Sequence, residues 1–178
     1  MRTLLSTLAL VALAAPALAQ ELADDDRAAI AERIETFDTI MQGGDMAALY
    51  GEMPQRLRST IAEQAGVSEE EVEAAMRAQI QATMASVTID GFSMDLDAAT
   101  VAETPDGSAT YALIPTVTEM TIEGQGSIKA TSETLALEDE GEWYLLRVDD
   151  PAQVALLGQV YPAFAGVEFA PGTMEPVE

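Results

Sequence analysis

The chain has 178 residues, with 8 Lys and Arg against 31 Asp and Glu, and contains neither His nor Cys. The missing residue types exclude disulfides, Fe–S clusters, thiol nucleophiles, His-ligated metals and an imidazole base. The formal charge of −23 opposes nucleic acids and anionic membrane surfaces as partners. With 48% apolar residues the chain can enclose a core, and its length suits one domain.

Residues 1–19 read as a secretory signal peptide. Arg2 supplies the positive start, Leu4 to Ala15 form the apolar run, and Pro16 breaks it. Ala17-Leu18-Ala19 is then a small-x-small cleavage site. The run is too short for a bilayer and acids follow it at once. The expected product is a periplasmic or secreted protein starting near Gln20, with no membrane attachment after cleavage. A single domain is expected over 20–161, and the Pro-, Gly- and Glu-rich tail 162–178 reads as loosely ordered.

Helices come first. Asp24, Asp25 and Asp26 sit where acids favour a helix start, and Ile30, Ile34, Phe37 and Met41 then form one apolar stripe. Gly43-Gly44 ends this helix. Asp45 is placed to cap a short second helix through Tyr50, and Pro54 to open a third that ends at Gly66. Ser68-Glu69-Glu70-Glu71 is a capping box for a helix carrying Val72, Met76, Ile80 and Met84 at four-residue spacing.

From Val87 the period falls to two. Val87 and Ile89 alternate, then Phe92, Met94 and Leu96 on the opposite parity, so a bulge or bend is expected at Asp90-Gly91. Pro105-Asp106-Gly107 joins two strands as a hairpin turn, and Pro115 disturbs a strand running on to Ile122. Turns at Gly124-Gln125-Gly126 and Glu138–Gly141 separate the last strands, the final one running from Trp143 to Val148. Asp149-Asp150-Pro151 then caps a helix with Val154, Leu156 and Leu157. Helices followed by an antiparallel meander with phase slips predict an α+β fold, its N-terminal helices packed on a bent, mostly antiparallel sheet shaped as a cone-like roll.

Gly141-Glu142-Trp143-Tyr144-Leu145-Leu146-Arg147-Val148 resembles the last strand of nuclear-transport-factor-2-like proteins, the cystatin-like roll: an acidic turn, Gly, Trp, then alternating apolar residues. Gly44-Asp45-Met46-Ala47-Ala48-Leu49-Tyr50 is similar to the segment after that family's first helix. Many members place strands between their early helices, whereas this chain runs through three helices first. The superfamily includes isomerases, dehydratases, transport adaptors and binding domains, so the resemblance implies a cone with a pocket and assigns no single activity.

Four residues are candidates for a ligand site. Arg147 shares a strand face with Trp143 and Leu145. It is placed either to hold a carboxylate or phosphate in the cone or to form an internal salt bridge. Asp38, one position past the first helix stripe, is either a general base in an apolar cone, as in the ketosteroid-isomerase branch of the family, or a solvated helix acid. Tyr50 is a candidate donor or a packing residue, and Trp143 a candidate wall of the pocket. The acids Asp90, Asp95 and Asp97, and Glu138, Asp139, Glu140 and Glu142, match no calcium loop and read as solvated turns. The methionines fall on apolar stripes and read as core filling. No metal or cofactor is expected.

Together these features favour a non-catalytic binding or interaction domain with a small apolar-lined pocket. The competing reading is a small isomerase, dehydratase or hydrolase using Asp or Tyr with Arg147. The expected partners are a small-molecule ligand and, because the last strand is apolar on both faces, a second copy forming a homodimer unless the C-terminal helix covers the second face.

Overall fold

The computed structural model describes residues 21–177, so the signal-peptide segment lies outside the described residues. The fold is α+β, with four helices against a curled antiparallel sheet. Helix α1 (Asp24–Gly43) ends where Gly44 takes the left-handed conformation, φ 74°. The expected second helix is a single 3-10 turn (Met46–Tyr50), too short for an α-helix, and the Asp45 side chain makes no capping bond to it. Pro54 precedes α2 (Gln55–Ala65). In α3 (Glu69–Met84) both halves of the capping box are made: Ser68 Oγ accepts from Glu71 N–H, and the Glu71 carboxylate accepts from Ser68 N–H. Among the described residues no strand precedes the end of α3.

The sheet is built on one long hairpin. β3 (Thr110–Ile122) and β4 (Gly126–Asp139) pair from Tyr111 opposite Leu137 to Ile122 opposite Gly126. Two short strands share each outer flank. β1 (Val87–Met94) and β2 (Thr100–Glu103) line β3, while β5 (Glu142–Arg147) and β6 (Thr173–Pro176) line β4. The phase slip in β1 is a register shift between Ile89 and Gly91. In the turn after β2, Asp106 Oδ1 accepts from the Thr104 and Ser108 hydroxyls, and Gly107 takes φ 68°.

Pro115 does not interrupt β3. It falls where the neighbour changes from β2, paired up to Leu113, to β1, paired from Thr116, so its missing N–H removes no ladder bond on that flank.

Both faces of β5 are covered from within the chain. Trp143 and Leu145 pack with Ile30 and Ile34 of α1, and with Ala112, Ile114 and Ala136 of the sheet. Leu146 and Val148 pack on the opposite side with Leu157 and Val160 of α4 (Pro151–Val160) and with Tyr161 and Phe164. The second face, expected to be covered either by a second copy or by the C-terminal helix, is packed by that helix. Asp150 caps that helix, accepting from Ala152 N–H at 2.8 Å and Gln153 N–H at 3.3 Å.

Part of the tail is built into the fold. A 3-10 turn (Pro162–Phe164) buries Phe164, Val167 and Phe169 lean on the same cluster, and β6 fills the half of β4 that the shorter β5 leaves open. The apolar residues among the tail's Pro and Gly outweigh its polar composition, since fully burying one such side chain is worth about 1.5–3 kcal/mol.

Candidate functional site

Helix α3 shapes the cavity. Its first turns dock through Val72 onto Tyr50 and Ala62. Ser59 and Gln55 of α2 hold Glu69 at 2.8 and 2.9 Å. Beyond that anchor the helix runs past its neighbours, so Met76, Ile80 and Met84 turn their apolar stripe toward a cavity of about 630 Å³, partly open to solvent. The stripe was readable as a core face. Met76 still leans on the Tyr50 cluster, and that the stripe beyond it faces the cavity depends on where α3 lands against the sheet, which no local pattern encodes.

The other walls come from every helix of the domain. Phe37 belongs to α1, Met46, Leu49 and Tyr50 to the 3-10 turn, Leu57 and Ile61 to α2, and Leu156 and Leu157 to α4. On the sheet side the cavity borders Leu145, Leu146, Arg147 and Val148 in succession. Consecutive residues in an extended strand point to opposite faces, so a cavity touching all four meets the strand along its edge. Among the described strands β5 pairs with β4 alone, which leaves that edge free.

The structure divides the four candidate residues. Arg147 and Tyr50 both line the cavity. The Tyr50 ring is buried, and its hydroxyl makes no hydrogen bond within the protein. Burial, reinforced by Glu69, pushes its pKa upward against the pull of Arg58. Arg147 is not buried in an internal salt bridge. Its side chain is 66% exposed and forks onto Asp149, Nε to Oδ1 at 3.1 Å and Nη2 to Oδ2 at 2.6 Å. The helix that covers Trp143 and Leu145 leaves it uncovered.

Trp143 and Asp38 lie elsewhere. Trp143 is buried against α1, and its indole N–H donates to Asp26 Oδ1 at 3.1 Å, so it is a core residue and not a pocket wall. Asp38 is half-buried rather than solvated. Its Oδ1 is enclosed without a hydrogen bond, and burial, followed by the nearby Glu35, raises its pKa. It does not border the cavity, so of the two pairings expected for an enzyme, Asp or Tyr with Arg147, only Tyr50 and Arg147 share that space.

The acid clusters are taken up structurally. Asp95 Oδ1 accepts from the N–H groups of Asp97 and Ala98, Asp97 pairs with Arg27, and Asp90 accepts from Thr121. Glu142 pairs with Arg33. Asp139 is buried, contrary to the expectation of a solvated turn. Among the described residues no group of three acids is arranged to hold a metal ion, and no helix is long and apolar enough to cross a membrane.

Four methionines, Met46, Met53, Met76 and Met84, line the cavity, whereas Met41 is buried in the expected way. Unbranched and polarizable, they let such a wall adapt to its contents. Gln79 and Thr83 of α3 and Gln153 of α4 add neutral polar groups. Local sequence does not single these three out, because they flank rather than form the apolar stripes. Compared with known proteins, the chain matches no family model, no curated protein and no solved structure.

Proposed function

We propose that the chain is an exported, non-catalytic binding domain that holds a small apolar ligand in the cavity between α3 and the edge of β5. The observation that carries this reading is the cavity itself: about 630 Å³, walled by Leu, Ile, Met and Phe side chains with a few neutral polar groups at intervals. That size and lining suit a small-molecule site. The order of helices followed by a curled sheet supports the likeness to nuclear-transport-factor-2-like proteins. The three helices before the first strand depart from many of its members.

Binding is tested with N-phenyl-1-naphthylamine, an uncharged dye that brightens in apolar sites. The parent protein is expected to bind it saturably. Ile80→Trp, which fills the cavity from a half-buried position, is expected to abolish the signal while leaving the urea melt intact. An unaltered signal in that variant overturns the assignment. Export is tested separately by N-terminal sequencing of the extracytoplasmic fraction. A start at Gln20 supports it, and an intact Met1 there refutes it.

A further inference from the structure

We infer that the cavity selects an uncharged molecule, an apolar body carrying a hydroxyl or carbonyl group, over its anionic counterpart. The inference rests on the binding reading above and narrows its ligand class. The first ground is charge. The chain carries 31 acids, yet none of the residues bordering the cavity is Asp or Glu. The one ionic side chain there is Arg147. An isolated ammonium or carboxylate entering such a wall loses hydration that apolar neighbours do not replace.

The second ground is that Arg147 is already engaged. Nε and Nη2 both donate to Asp149, a carboxylate only 14% exposed. Together the two side chains carry no net charge, although only Arg147 borders the cavity. An anionic head group approaching the guanidinium finds Nε and Nη2 already engaged, in a protein whose overall charge of −23 repels it.

The third ground is what remains to bind a polar group. Gln79 and Gln153 offer neutral amides, and Thr83, whose hydroxyl donates to the Gln79 carbonyl, offers an acceptor. The free edge of β5 from Leu145 to Val148 offers backbone N–H and C=O groups. A hydroxyl or carbonyl matches these donors and acceptors. A carboxylate matches only the donors and is repelled by the carbonyls.

The test uses two competitors of equal chain length, 1-dodecanol and dodecanoate, displacing N-phenyl-1-naphthylamine from the full mature protein at neutral pH. The alcohol is expected to displace the dye at concentrations at least tenfold lower. Asp149→Asn releases the Arg147 fork and is expected to narrow that ratio several-fold by improving the carboxylate. Equal potency, or a more potent carboxylate, in the parent overturns the charge selection while the binding reading stands. An Asp149→Asn ratio identical to the parent's refutes the role of the fork. Absence of dye binding altogether defeats the binding reading, and the inference falls with it.

Discussion

Tyr161 donates its phenolic hydrogen to Asp139 Oδ2 at 2.9 Å, a buried bond that joins the end of β4 to the end of α4. Arg56 of α2 completes the clamp. Its guanidinium lies 4.7 Å over the Tyr161 ring, Nη1 reaches Asp139 Oδ1 at 3.2 Å, and Nη2 donates to the Val160 carbonyl at 3.0 Å. Burial, followed by the bond to Asp139, drives the Tyr161 pKa far upward, so the phenol stays protonated and the bond keeps its donor. Tyr161→Phe retains the ring under Arg56 but deprives a buried carboxylate of one partner, and should cost about 1–3 kcal/mol. Asp139→Ala should cost about 1–3 kcal/mol, since it leaves the buried Tyr161 hydroxyl without its acceptor while Arg56, half exposed, turns to solvent. Urea melts measure both, and a Tyr161→Phe curve overlaying the parent's would deny the clamp an energetic role.

Arg147→Ala should be milder than the loss of a buried pair. Exposed ion pairs are worth about 0–1 kcal/mol, and here the partner Asp149 is mostly enclosed, which places the cost near the upper end of that range. The Arg147 hydrogen bonds hold Asp149 below the usual carboxylate range. A depressed pKa contributes stability that is fully present above the unfolded value and is lost as pH falls through the folded one. The difference between parent and Arg147→Ala should therefore be largest near neutrality and close in acid. Melts at several pH values showing a constant difference would contradict this linkage.

Asp38 should behave in the opposite sense. Its pKa is raised in the folded protein, chiefly by burial. Ionisation therefore penalises the fold above that value, and the penalty is absent below the unfolded carboxylate pKa. Asp38→Asn should raise the melting temperature slightly at neutral pH and leave it unchanged in acid. Destabilisation at neutral pH would show that the carboxylate makes a bond the structure does not contain.

Much of this architecture was readable along the chain. The capping box at Ser68 and Glu71, the slip at Asp90-Gly91, the turn at Asp106-Gly107 and the two apolar faces of β5 all depend on residues within a few positions of one another. What was not readable links distant positions through common residue types. Asp139 meets Arg56 and Tyr161, and Trp143 meets Asp26, only after the sheet has curled and the helices have docked. Strand parity put Arg147 on the face of Trp143 and Leu145, whereas α1 covers that face and the cavity meets β5 along its edge, a position set by where α3 comes to rest.

The tail divides into two parts of unequal weight. Phe164 is buried against Tyr111 and Tyr161, with ring centroids 5.4 and 6.5 Å away. Phe164→Ala should cost about 3–5 kcal/mol. Ending the chain at Gly172 removes, among the described residues, only exposed side chains and the short β6 ladder, and should cost about 1 kcal/mol or less. Thermal melts of the two variants check the contrast, and equal losses would refute it.

The shared flanks of the β3–β4 hairpin bear on how the protein behaves when concentrated. A long, flat, unpaired strand invites copies to stack edge to edge into aggregates. Here one flank changes partner at Pro115 and is bent by the register shift beside Asp90. The other is occupied by β5 and by β6, which ends at Pro176 opposite Ile128. The free stretch of β5 borders a cavity walled by helices. With a charge of −23 opposing close approach, the described sheet offers neighbouring molecules only short edge strands, β1 among them broken by its register shift, and the folded protein should stay dispersed at concentrations where an uninterrupted sheet of this size would precipitate.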